Sequence, residues 1–175
     1  MINNFNKLKM ENKSNLNGTS GKLEQNGVSD KQKVEIQERL YSFITEMNEW
    51  EKECNNIAND KALKFEEQFE KQKKLVEKIF VEYCTKKERK QGRPTTISYG
   101  NDNSYNYDPK LETITKVEET SETSDNKKVI VYTETKLGDM PMINQYSMVN
   151  KNQMWLIDTK KRYSNWKKKW VVETL

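Results

Sequence analysis

Residues 145–170 read QYSMVNKNQMWLIDTKKRYSNWKKKW and carry the clearest fold signal in the chain. Large apolar residues recur there at every second position, which is the period of a β-strand with one buried face. The polar stretch 150–152 lies between the two apolar runs and has the composition of a hairpin turn. We therefore predict two antiparallel strands. Strict alternation would place Trp155, Ile157 and Thr159 on one face of the second strand, and Met154, Leu156, Asp158 and Lys160 on the other.

The sequence upstream of this hairpin also alternates, which extends the predicted sheet. β-branched and aromatic residues concentrate there in short segments, as is typical of strands. The candidate strands are residues 96–99, 105–107, 111–120 and 129–135. Together with the hairpin, they predict an antiparallel meander of five or six strands.

Before residue 94 the apolar period is helical. Apolar residues from Ile36 to Ile57 recur at steps of three and four, and Ser29 with Gln32 forms a capping-box pattern, so we predict a helix over residues 30–58. Asp60 is a candidate cap for a second helix, whose apolar stripe ends at Tyr83. Helices that precede an antiparallel meander predict an α+β domain, with the helical hairpin packed on one face of the sheet.

A short third helix is predicted after these two. Thr85 and Glu88 repeat the capping-box spacing, and Gly92 and Pro94 would end the helix.

The first 28 residues differ from the rest in composition. They are rich in asparagine, and their apolar residues follow no period, which indicates a flexible tail over residues 1–28 and a single domain over residues 29–175. Apolar and charged residues each make up 33% of the chain, so the predicted core is modest.

The residue types exclude several kinds of chemistry. The chain has no histidine, which removes the commonest metal ligand and the usual general base near neutral pH. We predict no cofactor, no metal site and no catalytic residue. No signal segment or membrane span is evident, so we expect a cytoplasmic protein. Cys54 and Cys84 would lie about 30 Å apart along the helical hairpin, so we expect no disulfide and regard both as core fillers.

Two features near the C-terminal end are candidates for a binding or active site. Asp158 is an acid among apolar neighbours, and a raised pKa would let it act as a general base; the alternative is a strand aspartate paired with a lysine or arginine, which we favour. Basic and aromatic residues alternate after it, and residues 151–175 carry seven basic and two acidic groups. The basic residues are Lys160, Lys161, Arg162, Lys167, Lys168 and Lys169. They could contact an acidic protein or, less favourably, single-stranded nucleic acid, whereas the tryptophans could equally be core anchors.

Four blocks of sequence carry a resemblance to a known family. They are MNEWEKEC at 47–54, KKERKQGRPTTISYG at 86–100, YNYDP at 105–109 and, most strongly, residues 145–170. With these blocks the chain resembles the nuclear-transport-factor-two-like immunity proteins of bacterial polymorphic toxin systems. The resemblance implies a cone-shaped fold, in which helices pack into the concave face of a curved antiparallel sheet.

The resemblance also implies that the protein binds and neutralises a cognate toxin and is not an enzyme. It leaves open which surface binds the toxin: the runs 160–162 and 167–169 are candidates, and so are the acidic strands between residues 112 and 139. Trp155, Ile157, Tyr163 and Trp166 are expected to build the sheet core. The same fold also hosts isomerases, so a small-molecule site in the cone around Asp158 is an alternative. We expect no membrane partner, and the sequence leaves a homodimer open.

Overall fold

The computed structural model describes residues 28–89, 92–101, 104–120, 127–137 and 140–175. Two helices precede five strands in the chain. They are α1 (Asp30–Asn59), α2 (Phe65–Tyr83), β1 (Thr113–Thr120), β2 (Lys128–Leu137), β3 (Met140–Lys151), β4 (Met154–Ser164) and β5 (Lys169–Glu173). The strands form one curved antiparallel sheet in the order β1-β2-β3-β4-β5, and the helices pack against it. The predicted α+β class and the predicted meander are confirmed. The predicted tail, apart from Val28, lies outside the described residues.

The two helices form an antiparallel pair. The Ser29 capping box is present at the start of α1, where Ser29 Oγ accepts from the Gln32 backbone N–H at 3.3 Å. The apolar stripe of α1 is buried from Ile36 to Ile57, as its period predicts. The indole N–H of Trp50 donates to the backbone carbonyl of Gln72 at 2.9 Å, which satisfies the indole and fixes the two helices to each other.

The β3–β4 hairpin is present, and its strand register contains one irregularity. The turn residues Asn152 and Gln153 both have positive φ, as a tight two-residue hairpin turn requires. Ser147 pairs with Thr159 but Met148 pairs with Ile157, so Asp158 is an extra residue in β4, a β-bulge. The bulge ends the strict alternation: Trp155 and Ile157 are buried as predicted, and after the bulge the next buried residue is Lys160. The prediction that Lys160 lies on the opposite face from Trp155 and Ile157 was therefore wrong.

The third helix predicted from Thr85 onward is absent from the described residues 85–89, which have no regular secondary structure. The backbone N–H of Thr85 instead donates to the carbonyl of Ile157, beside the bulge, at 2.9 Å. The Thr85 hydroxyl donates to Asp158 at 2.7 Å, so it serves the sheet and caps no helix. The Asp60 prediction was also wrong: Asp60 follows the end of α1 and accepts from Ala62 in the turn, and α2 is preceded by Lys64.

Residues 96–99 and 105–107 are not strands, although their composition suggested it. The backbone there is irregular, apart from a bridge between Asn101 and Ser104. Strand β5 was missed, because its short run of lysine and tryptophan was assigned to a basic tail. In the strand register, Trp170 of β5 lies opposite Tyr163 of β4, and Val172 lies opposite Lys161.

The irregular segment is fixed by one carboxylate of α1. Glu51 is fully buried and accepts from the Gly100 N–H at 2.9 Å, the Asn106 side-chain amide at 2.6 Å and the Tyr107 N–H at 3.1 Å. The guanidinium of Arg93 lies 3.8 Å from the same carboxylate. A buried carboxylate requires such compensation. Residues that propensity would place in strands are therefore held in a loop by hydrogen bonds to a helix.

Replacing Glu51 tests this role. We expect Glu51→Ala to lower the free energy of unfolding by about 3–5 kcal/mol, because the buried Tyr107 N–H would lose its acceptor and the buried Arg93 guanidinium would lose its counter-charge. Urea denaturation followed by circular dichroism measures it. Glu53→Ala, on an exposed position of the same helix, is the control and should cost less than about 1 kcal/mol. Equal losses in the two variants would contradict the role assigned to Glu51.

Both cysteines are free and buried. Burial, with the nearby Glu51 charge, raises the pKa of the Cys54 thiol to about 12. Burial also raises the pKa of Cys84 to about 12, against the opposing effect of Arg89. At pH 8 only about one such thiol in ten thousand would be the reactive thiolate.

We therefore expect neither thiol to react with an Ellman-type reagent at pH 8 in the native protein, and both to react in guanidinium chloride. Absorbance of the released thiolate measures the reaction. Rapid labelling of the native protein would show that a cysteine is accessible.

Candidate functional site

The interior of the cone holds a buried cation. Lys160 is only 8% exposed, and its ammonium lies 4.3 Å from the ring centroid of Tyr107 and 5.2 Å from that of Tyr146. Desolvation lowers the pKa of this lysine, and the charge of Glu112 acts in the opposite direction. The bulge at Asp158 is what brings Lys160 to this position, because it moves the residue to the face that packs on the core.

A buried carboxylate stands near this cation. Glu112 is 7% exposed, and its Oε1 accepts from the Thr133 hydroxyl at 2.5 Å and the Tyr146 hydroxyl at 3.0 Å. The Asn144 amide is a third, longer donor at 3.4 Å. Burial, followed by the Glu112 charge, raises the pKa of Tyr146 well above its ordinary value, so this tyrosine remains a donor.

Arg93 is the second buried cation. Its Nε donates to the backbone oxygen of Leu175 at 2.6 Å, and its Nη1 donates to the carbonyl of Ser98 at 2.7 Å. The guanidinium also lies over the rings of Trp50 and Tyr107, at 5.6 and 5.3 Å. Arg93 therefore connects α1, the irregular segment and the residues that follow β5.

A cavity of about 520 Å³ opens beside these groups. Its lining includes the basic side chains of Arg93, Lys136, Lys160 and Arg162, with Asn144 between them. Asp108 and Glu173 also line it, and Glu173 is paired with Arg162 at 2.8 Å. The cavity wall therefore combines polar and apolar side chains, and basic groups outnumber acidic ones in it.

Asp158 lies at the bulge and is not among the residues that line this cavity. It accepts from Thr85 and, at 3.0 Å, from the Lys87 ammonium. Partial burial raises the pKa of Asp158, but the hydrogen bonds from Thr85 and Lys87 outweigh this effect, so the pKa is lowered overall. This direction is opposite to the raised pKa that the less favoured general-base alternative requires. The favoured alternative, an aspartate paired with a lysine, is what the structure contains.

The other basic candidates lie at the exposed end of the β4–β5 hairpin. Lys167, Lys168 and Lys169 are exposed, Arg162 is exposed and ion-paired, and Lys161 is half-buried. Trp166 is 93% exposed, so its predicted place in the sheet core was wrong. Tyr163 instead packs on Trp170, with ring centroids 5.4 Å apart. Lys160 is buried and does not share the exposed surface of its neighbours.

The acidic strands proposed as an alternative toxin surface are only partly acidic at the surface. Glu112 is internal, Glu118 pairs with Lys116 at 3.0 Å, and Glu119 accepts from the Val28 N–H. Residues 121–126 and 138–139 lie outside the described part of the chain.

Sequence patterns did not identify Glu51, Arg93 or Glu112 as interior groups. The available signal for Glu51 was its place four residues after Met47 and three before Cys54, on the apolar stripe of α1. Within the described ranges, no three Cys, Asp or Glu side chains are placed to hold a metal ion. In the same residues, no helix is both long and apolar enough to cross a membrane.

Comparison with known proteins identifies the family. The model of the NTF2 fold immunity protein family matches residues 35–174. Immunity protein RhsIA of Dickeya dadantii (strain 3937) is 32% identical over 135 residues, which cover 75% of this chain and 90% of that protein. The comparison with solved structures gave no significant match.

The matched range contains most of α1, all of α2 and all five strands, so it includes the whole sheet and the residues around the buried cations. The order of helices and strands agrees with the family's fold. The chain therefore belongs to the NTF2 fold immunity proteins, and its function is toxin-neutralising immunity.

Proposed function

We propose that the protein acts by binding its cognate toxin directly in the cytoplasm, without catalysing a reaction. We propose further that the toxin contacts the basic hairpin end, which comprises Lys161, Arg162 and residues 164–169. We choose this surface because Trp166, on the turn between β4 and β5, is 93% exposed. An exposed indole on a protein surface is unfavourable in water, and tryptophan is enriched among the residues that dominate binding energy at interfaces.

The basic hairpin end is held in shape before any partner binds. Tyr163 and Trp170 are cross-strand partners whose rings pack together. The Trp170 ring also packs on Tyr132, with ring centroids 6.1 Å apart. Within the turn, the Ser164 hydroxyl accepts from the Lys167 N–H at 3.2 Å. Because the turn is already ordered, the entropic cost of fixing it in a complex is small.

The charge of this surface indicates the chemistry of the partner. No acidic residue occurs between residues 160 and 169, and five basic side chains flank Trp166 outside the core. Lysines around an apolar anchor suit an acidic toxin surface with an apolar pocket for the indole. Such charges mainly accelerate association, whereas the anchor slows dissociation.

Co-expression with the toxin encoded beside the protein tests the proposed function. We expect the immunity protein to restore growth and to form a complex that survives size exclusion. Continued toxicity without a complex would contradict neutralisation by direct binding. Salt-sensitive binding of a single-stranded oligonucleotide, with no toxin complex, would instead favour the nucleic-acid alternative.

Trp166→Ala tests the anchor. We expect toxin affinity to fall at least about 30-fold, because central aromatic anchors contribute about 2 kcal/mol or more, while the unfolding midpoint stays unchanged. Calorimetric titration with purified toxin measures the affinity. Phe65→Ala is a matched control, since Phe65 is 75% exposed at the start of α2. Equal affinities for the two variants would place the toxin elsewhere.

Reversing charges tests the basic part of the same surface. Lys167→Glu together with Lys169→Glu should lower the association rate constant about tenfold or more at low salt, with a smaller effect at high salt. Stopped-flow fluorescence measures the rate. The double variant Lys71→Glu and Lys78→Glu changes the same charge on exposed positions of α2 and should leave the rate nearly unchanged. A similar loss in both variants would indicate a general effect of net charge.

A further inference from the structure

The buried ammonium of Lys160 has no anionic partner of its own. Each nearby carboxylate is used by other donors: Glu112 by Thr133 and Tyr146, Glu51 by backbone N–H groups, and Glu173 by Arg162. Among the described residues the ammonium makes ring contacts with Tyr107 and Tyr146, and it forms neither an ion pair nor a hydrogen bond. The Lys160 side chain is largely desolvated and its ammonium has no ion-pair partner, so a lysine in this position lowers the stability of the fold unless something else binds it.

The ammonium is also accessible to a ligand from one side. Lys160 lines the cavity of about 520 Å³ that opens at the mouth of the cone, a volume within the range of small-molecule sites. Asn144 lines the same cavity and offers an amide N–H, while Arg93 and Arg162 add positive charge to the wall. Residues that lower the stability of a fold, such as a desolvated lysine without an ion-pair partner, are expected at functional sites.

We propose that this cavity binds a compact oxyanion, a carboxylate or a phosphate, with Lys160 as the principal cation and the Asn144 amide as a second donor. Four basic and two acidic side chains line the cavity, and this excess of basic groups favours an anion. A bound anion would supply the acceptors that the ammonium lacks. Desolvation lowers the pKa of Lys160, and the bound negative charge would raise it again.

The oxyanion has two possible sources. It could belong to a free small molecule, or it could be an acidic side chain of the toxin that enters the mouth of the cone. Lys160 lies opposite Glu173 on β5, and the strand pair continues from there to the basic hairpin end, so a partner on that surface could reach the cavity. The first source is independent of the proposed function, and the second rests on it.

The free-anion experiment uses the full chain. Inorganic phosphate and succinate are each titrated, with sodium chloride at matched ionic strength, and the thermal unfolding midpoint is recorded. Binding should raise the midpoint of the wild type by roughly 4 °C when the anion reaches about ten times its dissociation constant. Lys160→Met should lose this shift, and Lys151→Met, an exposed lysine at the far end of β3, should keep it.

Lys160→Met also separates a binding role from a structural one. Methionine can fill the same space against the two tyrosine rings without a charge, so its midpoint without anion should equal or exceed that of the wild type. If this variant fails to fold, Lys160→Gln replaces it, because glutamine keeps a polar group but no charge.

The toxin arm compares the affinities of the same variants for purified toxin. A midpoint shift that depends on Lys160, with unchanged toxin affinity, would assign the site to a free small anion. No shift, but a toxin affinity at least tenfold weaker in Lys160→Met than in Lys151→Met, would assign it to a toxin carboxylate. Neither effect, or an equal anion shift in Lys160→Met and the wild type, would overturn the proposed site whatever the outcome for the proposed function.

Discussion

The hydrogen bonds from Gly100, Asn106 and Tyr107 to the Glu51 carboxylate are the constraint on which the interior of the fold depends. A helix and an irregular loop are joined by three hydrogen bonds to one buried side chain, with Arg93 nearby as counter-charge. This places the ring of Tyr107 in the core, where it packs edge-on against Phe43 of α1. The Lys160 ammonium lies 4.3 Å from the centroid of the same ring. A chain with only 33% apolar residues thus builds part of its interior from paired polar groups.

The bulge at Asp158 determines which residues of β4 face the interior. By adding one residue to β4, it places Trp155, Ile157 and Lys160 on one face. Thr85 and Lys87, which follow α2, donate hydrogen bonds to the Asp158 carboxylate at the bulge. Along β4, the buried side chains therefore change from the apolar Trp155 and Ile157 to the charged Lys160. At its far end, the hairpin projects Trp166 and its lysines into solvent. One strand pair thus carries the buried Lys160 and, beginning at the next residue, the basic hairpin end.

The sequence predicted the elements that periodicity alone specifies. The long helix with its Ser29 cap, the second helix, the β3–β4 hairpin and the α+β order of elements all follow from apolar spacing, and the structure contains them. Two of the failures involve a polar group that is used by a distant partner. Thr85 has the pattern of a helix cap but bonds Asp158, and residues 105–107 have strand composition but are bound to Glu51 through Asn106 and Tyr107. Lys160 was assigned to the wrong face because a bulge is not visible in an alternating pattern.

The blocks that carry the family resemblance can also be interpreted from the structure. Glu51, Arg93, Tyr107 and Lys160 each fall in a different one of the four blocks, and together they form the polar interior of the cone. Glu112 lies outside these blocks. The blocks therefore contain the groups that hold the scaffold and its cavity, while Trp166 and the lysines around it provide the exposed surface.

Our central proposal is that the toxin binds the basic hairpin end. Hydrogen–deuterium exchange of the immunity protein, free and in complex with purified toxin, measures it most directly, because backbone amides at the contact become protected. We predict slower exchange in the complex for peptides that cover residues 160–173, with little change along α2. Protection confined to α2 or to the strands β1 and β2, with residues 160–173 unaffected, would contradict it.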